Sequence, residues 1–295
     1  MNGEFIKYTA ALLLFGSNGV VAASIALSSY EIVFLRTLIG SILLIGLFLI
    51  LHGKLTVFNH MRQFAYLAVS GIAMGAGWMF LYEAYQQIGV SLSSLVYYCG
   101  PVIVMVLAPL LFREKLTRQK TAGFFAVLLG IILVNGQALF AGTISFGLFC
   151  GAMSAVMYAV MVIFTKKATH ITGLENSMVQ LFISFLTVAV FTGIVKGFAF
   201  EIAGEDILPI LFLGAVNTGI GCYLYFSSIG RLDVQTVAIC GYLEPLSAVV
   251  FSVLLLGEVL FPMQIFGAVL LLGGAVLGEM SGSSGRGEKV CGRRL

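Results

Sequence analysis

Residues 67–134 read LAVSGIAMGAGWMFLYEAYQQIGVSLSSLVYYCGPVIVMVLAPLLFREKLTRQKTAGFFAVLLGIILV, and residues 211–278 read LFLGAVNTGIGCYLYFSSIGRLDVQTVAICGYLEPLSAVVFSVLLLGEVLFPMQIFGAVLLLGGAVLG. An offset of 144 residues aligns the two stretches without a gap. It pairs Gly75 with Gly219, Gly77 with Gly221, Tyr98 with Tyr242, Pro101 with Pro245, Glu114 with Glu258, Gly123 with Gly267 and Gly130 with Gly274. Roughly 15 of the 68 positions are identical, and seven of these are Gly, Pro, Glu or Tyr, which apolar bias towards Leu and Val alone would not match. The chain is therefore an internal duplication.

Composition sets the solvent in which the duplicate folds. With 60% hydrophobic residues, 10% charged residues and a mean hydropathy of +1.06, a soluble domain of 295 residues is excluded. Apolar runs long enough for a ~30 Å hydrocarbon core predict an all-α membrane protein of ten transmembrane helices. The spans fall near residues 6–26, 31–51, 63–84, 91–112, 118–136, 144–165, 174–195, 207–229, 234–256 and 262–280. A β-barrel would instead show short segments of alternating polarity. The first apolar run lacks a small-residue cleavage site and is read as a retained helix.

Five spans per copy is an odd number, so the second copy enters the membrane inverted. Charge tests this independently. With the N-terminus in the cytoplasm, 14 of the 16 basic residues fall inside: Lys7, Lys54, Arg62, Arg113, Lys115, Arg118, Lys120, Lys166, Lys167, Arg231, Arg286, Lys289, Arg293 and Arg294. Lys196 falls outside and Arg36 falls within a span. The loop Arg113-Glu114-Lys115-Leu116-Thr117-Arg118-Gln119-Lys120 is matched by Gly257-Glu258-Val259-Leu260-Phe261-Pro262-Met263-Gln264, which has no positive charge. Likewise the loop around Lys54 and Arg62 corresponds to one holding Glu201, Glu205 and Asp206. Antisymmetric charge on symmetric hydropathy predicts two inverted five-helix repeats, residues 6–136 and 144–280, followed by a disordered cytoplasmic tail, 281–295. Both termini then lie in the cytoplasm, and the setting is the cytoplasmic membrane.

The net charge of +3 carries little information about partners, because loop cations near a bilayer act as orientation signals; no nucleic-acid partner is expected. Cys99, Cys150, Cys222 and Cys240 lie within spans and Cys291 in the tail, so no disulfide framework is implied, and no metal-type spacing of Cys or His occurs. No cofactor is expected.

The segment from Tyr85 to Val134, with Leu92-Ser93-Ser94, Gly100-Pro101, Phe112-Arg113-Glu114-Lys115-Leu116 and Gly123 through Gly130, resembles the EamA-type domain of the drug/metabolite transporter superfamily; Leu211 to Gly278 resembles a second one. Phe15-Gly16-Ser17-Asn18 and Arg36 are similar to the opening of that domain, although Trp is more usual where Phe15 stands. The resemblance covers nearly all of residues 6–280. It implies a transporter of small metabolites, often an exporter, with a central cavity formed by both halves, and it implies no single substrate.

Irregular or polar backbone at membrane depth is tolerated only where protein or water covers it. Pro101 and Pro245 lie near the middle of the fourth and ninth spans, each removing an N–H and freeing the carbonyl four residues earlier. They mark either a cavity across the pseudo-twofold axis, with a coupling or gating role, or simple kinks between packed helices. Glu244, next to Pro245, is the sharpest single residue. A charge at the helix centre costs roughly 2.5–3.5 kcal/mol, so this carboxylate faces a cavity, finds a partner or holds a proton. A wet Glu244 attracts a substrate amine; a proton-loaded one couples transport to a proton gradient; the alternative is a buried hydrogen-bonding residue. Thr236, Cys240, Glu244 and Ser247 form one polar stripe.

Glu83 ends the third span near the outer surface, as a gating residue or a hydrated one. Arg36, about six residues into the second span, either snorkels or pairs with Glu83 or Glu31, which favours a structural role. Glu114 and Glu258, at matching helix ends, read as capping or packing residues. Trp78, Tyr82, Tyr97, Tyr98, Tyr158, Tyr223, Tyr225 and Tyr242 either pack in the core or face lipid, or they line a pocket where rings beside Glu244 would hold an amine by cation–π attraction of roughly 0.5–2 kcal/mol. Asn18 and Asn217 add neutral hydrogen-bonding groups at similar depth. The central spans contain no Lys, which argues against a dianionic substrate. Glycine pairs such as Gly71 with Gly75 and Gly147 with Gly151 pack helices within a protomer or join protomers as a homodimer.

The expected function is alternating-access transport of small metabolites such as amino acids or other amines. A channel or a substrate-sensing receptor is the alternative. An enzyme is not expected, since neither His-Glu-x-x-His nor Gly-x-Ser-x-Gly occurs and the three histidines sit at span ends or in loops.

Overall fold

In hydrocarbon, a chain segment must pair its own N–H and C=O groups, and the α-helix does so within one segment. The computed structural model describes residues 2–53, 55–97, 99–112, 118, 121–123, 125–126, 129–130, 132–133, 145–195, 197–198, 200–229, 241 and 243–280. It is all-α, with no strand among the described residues. Among them, six helices are long and apolar enough to cross a membrane: Gly3–Ala23, Ser29–Ile50, Met61–Ile88, Phe146–Lys167, Gly173–Val195 and Gly204–Ser228. Apolar helices Leu243–Leu256 and Pro262–Gly274 are shorter. Most of the expected fifth span, the start of the ninth, Glu114, Tyr98, Tyr242 and the tail lie outside the described residues.

In chain order the elements are α1 (Asn2–Gly16), α2 (Asn18–Ala23), α3 (Ser29–Ile50), α4 (Met61–Ile88), α5 (Val90–Tyr97), α6 (Cys99–Phe112), α7 (Phe146–Lys167), α8 (Gly173–Val195), α9 (Ile207–Leu211), a π-helical segment Phe212–Ile220, α10 (Gly221–Ile229), α11 (Leu243–Leu256) and α12 (Pro262–Met280). Local chemistry sets several of these boundaries. The backbone N–H and hydroxyl of Ser28 donate to Glu31 Oε2 at 2.8 and 2.5 Å, a first-turn cap for α3. Ser145 Oγ accepts from Leu148 N at the start of α7, and Lys166 and Lys167 close that helix at its negative end. The first span, Gly3–Ala23, runs as one helix with an irregularity at Ser17 between α1 and α2, where the Ser17 hydroxyl donates to Leu14 O at 2.8 Å.

The helices of the two sequence copies interlock. α4 packs against α7 and α8, α3 against α8 and the π segment, α1 against α10 and α11, and α5 against α7 and α11. Small residues make these approaches possible. A Cβ on Gly71 would lie 2.8 Å from Gln180 O, one on Gly75 2.8 Å from Ser184 O, and one on Gly147 2.5 Å from Gln87 Cβ. These glycine faces therefore serve packing inside one protomer. Gly75→Leu forces α4 away from the α8 backbone and is expected to destabilise the protein by about 2 kcal/mol or more, read as a lower unfolding temperature in detergent.

Polar groups tie the same helices. Ser70 Oγ lies 2.5 Å from Gln180 Oε1 and 3.0 Å from Met161 O, Thr165 Oγ1 lies 3.1 Å from Gln180 Oε1, and Asn176 Nδ2 donates to Ile171 O at 3.1 Å. These bonds tie α4, α7 and α8 together. Outward, Ile42, Ile194, Leu208, Leu254 and Val259 are exposed, the apolar surface that lipid would cover.

Candidate functional site

The π-helical segment is the local irregularity from which the site is built. Wider winding over Phe212–Ile220 takes Thr218 and Asn217 out of ordinary helical register. Thr218 Oγ1 donates to Leu213 O, five residues back, at 2.8 Å, and accepts Arg36 Nε at 2.8 Å. Asn217 Nδ2 reaches the irregularity between α1 and α2, with Leu14 O, Ser17 Oγ and Asn18 Oδ1 each at 3.0 Å. Asn217 thus holds the turn that presents Asn18, and it lies behind the cavity wall, not in it.

The cavity between these helices has a volume of about 60 Å³, several times the ~10–15 Å³ that one water needs. From α4 it takes Met74, Trp78, Leu81, Tyr82 and Tyr85; from α10 it takes Cys222, Tyr225 and Phe226. Trp78, Leu81 and Tyr82 are the repeat partners of Cys222, Tyr225 and Phe226, so the same helix face of each copy lines the same space. Phe15 and Asn18 close one side from the α1–α2 irregularity, Tyr97 enters from α5, Tyr158 and Met161 from α7, and Glu244 from the start of α11.

Glu244 is placed by a close backbone approach. A Cβ on Gly16 would sit 2.8 Å from Glu244 O and 2.0 Å from Ser247 Oγ, so only glycine lets α1 come this near to α11. Ser247 Oγ donates to Glu244 O at 2.8 Å. At the matching position of the other copy stands Gly100, whose missing side chain makes room for Tyr158: a Cβ there would lie 2.7 Å from that ring. Pro101 and Pro245 follow these two positions in α6 and α11. Tyr158 meets Tyr97 edge-on with ring centroids 5.3 Å apart, and Tyr225 packs on Tyr8 and Phe15 at 5.5 and 5.7 Å. Glu244 lines the same cavity as Tyr97, Tyr158 and Tyr225.

Arg36 takes neither of the two positions weighed from sequence. It neither snorkels nor pairs with Glu31 or Glu83. It is 1% exposed and turns inward, with Nη1 donating to Tyr82 OH and the guanidinium lying 4.4 Å from the Trp78 ring centroid and 4.9 Å from that of Tyr82. Two of the rings expected to receive a substrate cation are therefore already occupied by a cation of the protein itself. The carboxylates proposed for Arg36 are engaged elsewhere: Glu31 caps α3, and Glu83 accepts Ser29 Oγ at 2.5 Å and Gln87 Nε2 at 3.0 Å.

Of the residues singled out from sequence, the cavity brings together Asn18, Trp78, Tyr82, Tyr158 and Glu244; Asn217 and Glu83 lie away from it, and Tyr98 and Tyr242 are outside the described residues. Tyr97 and Tyr225, also weighed as pocket rings, line it too, Tyr223 does not, and Arg36, Phe15, Tyr85 and Phe226 join them. Glu258, read as a cap, is one, but for the other copy: its Oε1 and Oε2 accept Val90 N and Ser91 N, the first amides of α5, at 2.7 and 2.9 Å.

A family model described as EamA-like transporter family matches residues 5–136 and again 145–278. The chain is 24% identical to "Uncharacterized transporter YxxF" of Bacillus subtilis, over 92% of this chain and 88% of that protein. It is 26% identical to a "Probable amino-acid metabolite efflux pump" of Salmonella typhimurium, over 62% and 65% of the two chains, and 24% identical to "Riboflavin transporter ImpX" of Fusobacterium nucleatum, over 58% and 60%. A solved crystal structure superposes with a TM-score of 0.70 at 19% identity, covering 94% of this chain and 98% of the other.

Proposed function

The chain belongs to the EamA-like transporter family and is a multi-pass integral membrane protein, and from that premise we propose that it exports small metabolites bearing an amino group across the cytoplasmic membrane. Two inverted five-helix halves, ten spans in all, rock about the shared cavity, with both termini in the cytoplasm. The observation that carries this reading is Glu244: a carboxylate on the wall of a cavity lined by repeat-related helices, ringed by aromatic side chains. A carboxylate in this cavity can hold the amino group of a transported molecule by charge. Exchange of the amine for a proton on Glu244 couples efflux to the proton gradient. The amino-acid metabolite efflux pump among the relatives supports this class of cargo.

Reconstitution into liposomes tests the proposal. Labelled amine should accumulate against unlabelled amine trapped inside, since counterflow requires a site that reorients loaded. Flux that ignores the trapped substrate identifies a channel, and binding without flux identifies a receptor.

Trp78→Ala also bears on the site. Its ring is the platform beneath the Arg36 guanidinium, so its loss frees the arginine as well as removing contact area. Substrate affinity, measured by calorimetry on the purified protein, should fall about tenfold. Unaltered affinity would show that this wall does not touch the cargo.

A further inference from the structure

Glu175 turns its carboxylate toward the other copy. It stands in the first turn of α8, 8% exposed, where Oε1 accepts Thr56 N at 2.5 Å and Val57 N at 2.8 Å, and Oε2 accepts Thr56 Oγ1 at 2.7 Å. The 144-residue offset pairs Glu175 with Glu31, which caps its own helix through Ser28. A position that closes a helix in the first copy thus reaches across the seam between the copies in the second. Val57 carries the consequence inward. It is 3% exposed and belongs to one apolar cluster with Leu67 and Met74 of the first copy and Ile171, Met178 and Cys222 of the second. Met74 and Cys222 also line the central cavity, so the cluster runs from the cavity to the Thr56 loop. The opposite end of the seam is tied separately, by Asp206 Oδ1 on Ala26 N at 3.0 Å and by Glu258 on Val90 N and Ser91 N.

We propose that Glu175 is the latch of one entrance to the cavity. While it holds the Thr56 and Val57 amides, Val57 stays in the apolar plug, and the cavity is shut from the end that carries Arg62, Lys166 and Lys167, the cytoplasmic one. Opening draws the loop off the carboxylate and parts the plug along the seam. Each of the three bonds is exchanged for a bond to water as the loop leaves, so the latch biases the closed form without fixing it. The inference rests on the proposed rocking of the two halves and is indifferent to what they carry.

Cys222 reports on the cavity from within. A charged, membrane-impermeant thiol reagent is added to inside-out or right-side-out membrane vesicles holding the full-length protein, and modification of Cys222 is read by peptide mass spectrometry. Glu175→Ala should speed modification from the cytoplasmic side at least about tenfold and leave the rate from the other side level or lower. Thr56→Val, which removes one donor from the opposite partner and leaves the carboxylate in place, should give a smaller rise of about two- to fivefold on the same side. His60 and His170 face each other across this seam with ring centroids 5.1 Å apart. Joining His60→Cys to His170→Cys with a short thiol-reactive linker should return Glu175→Ala to the wild-type rate. Equal rises from both sides would make Glu175 a general tether, and unchanged rates in both variants would separate the contact from access; either overturns the inference and leaves the carrier intact. Modification that stays fast in the linked protein would overturn it as well. A rise confined to the cytoplasmic side, in a protein that shows no counterflow with any amine, would uphold the latch and remove the amine-carrier reading. Thr56→Val decides the matter alone where Glu175→Ala does not fold.

Discussion

Glu244→Gln is expected to abolish counterflow, with a loss of about a hundredfold or more, in protein that remains folded. The substitution keeps the volume and an acceptor oxygen but removes the charge and the exchangeable proton. Breaking a buried ion pair by removing one partner costs roughly 3–5 kcal/mol, and the upper part of that range exceeds a thousandfold in affinity. The same change relieves the cost of holding a carboxylate in α11 at membrane depth, so the thermal midpoint in detergent should stay level or rise. A lost flux together with a lowered midpoint would indicate a folding defect; a lost flux with an unchanged midpoint assigns Glu244 to transport. Flux that is retained, with an unchanged dependence on the proton gradient, would take Glu244 out of the mechanism and leave the cavity without an amine subsite.

Glu244 was legible from sequence because a carboxylate inside an apolar helix has few inexpensive positions, and the cavity face of α4 and α10 was legible because the duplication placed Trp78 and Tyr82 in the same register as Cys222 and Phe226. Arg36 was not. Linear spacing puts it about six residues into the expected second span, a depth from which an arginine can reach either the interface or the interior, and the choice is made by Thr218, 182 residues away. Thr218 in turn reaches it through the π winding of Phe212–Ile220, which no 3.6-residue periodicity anticipates. The same winding explains Asn217, which depth alone suggested for the pocket and which instead secures the turn at Ser17. The aromatic residues behaved similarly: their number implied a pocket, but the occupation of Trp78 and Tyr82 by Arg36 depends on three-dimensional packing.

Glu258→Ala should release the end of the molecule opposite the basic loops. Glu258 belongs to the second copy, yet both of its carboxylate oxygens are spent on the first two amides of α5 in the first copy, at 2.7 and 2.9 Å. Gly89, with φ of 81°, makes the turn into α5 that aims those amides, and a Cβ at that position would lie 2.9 Å from Glu258 Oε1, so the clamp requires glycine there. Hydrogen bonds from a backbone N–H to a charged acceptor contribute about 1.5–3 kcal/mol each, and the amide end of a helix adds its own preference for an anion. In the proposed alternation of the two halves, a contact of that strength between them biases whichever conformation contains it. Removing about 3 kcal/mol or more shifts such an equilibrium by two orders of magnitude. Hydrogen–deuterium exchange at Val90 and Ser91 should therefore accelerate about a hundredfold in the variant, and counterflow should slow as the population moves toward the conformation open on that side. Unchanged exchange at these amides would show that Glu258 does not hold them. Faster exchange with unaltered counterflow would make it a helix cap with no part in the alternation of the two halves.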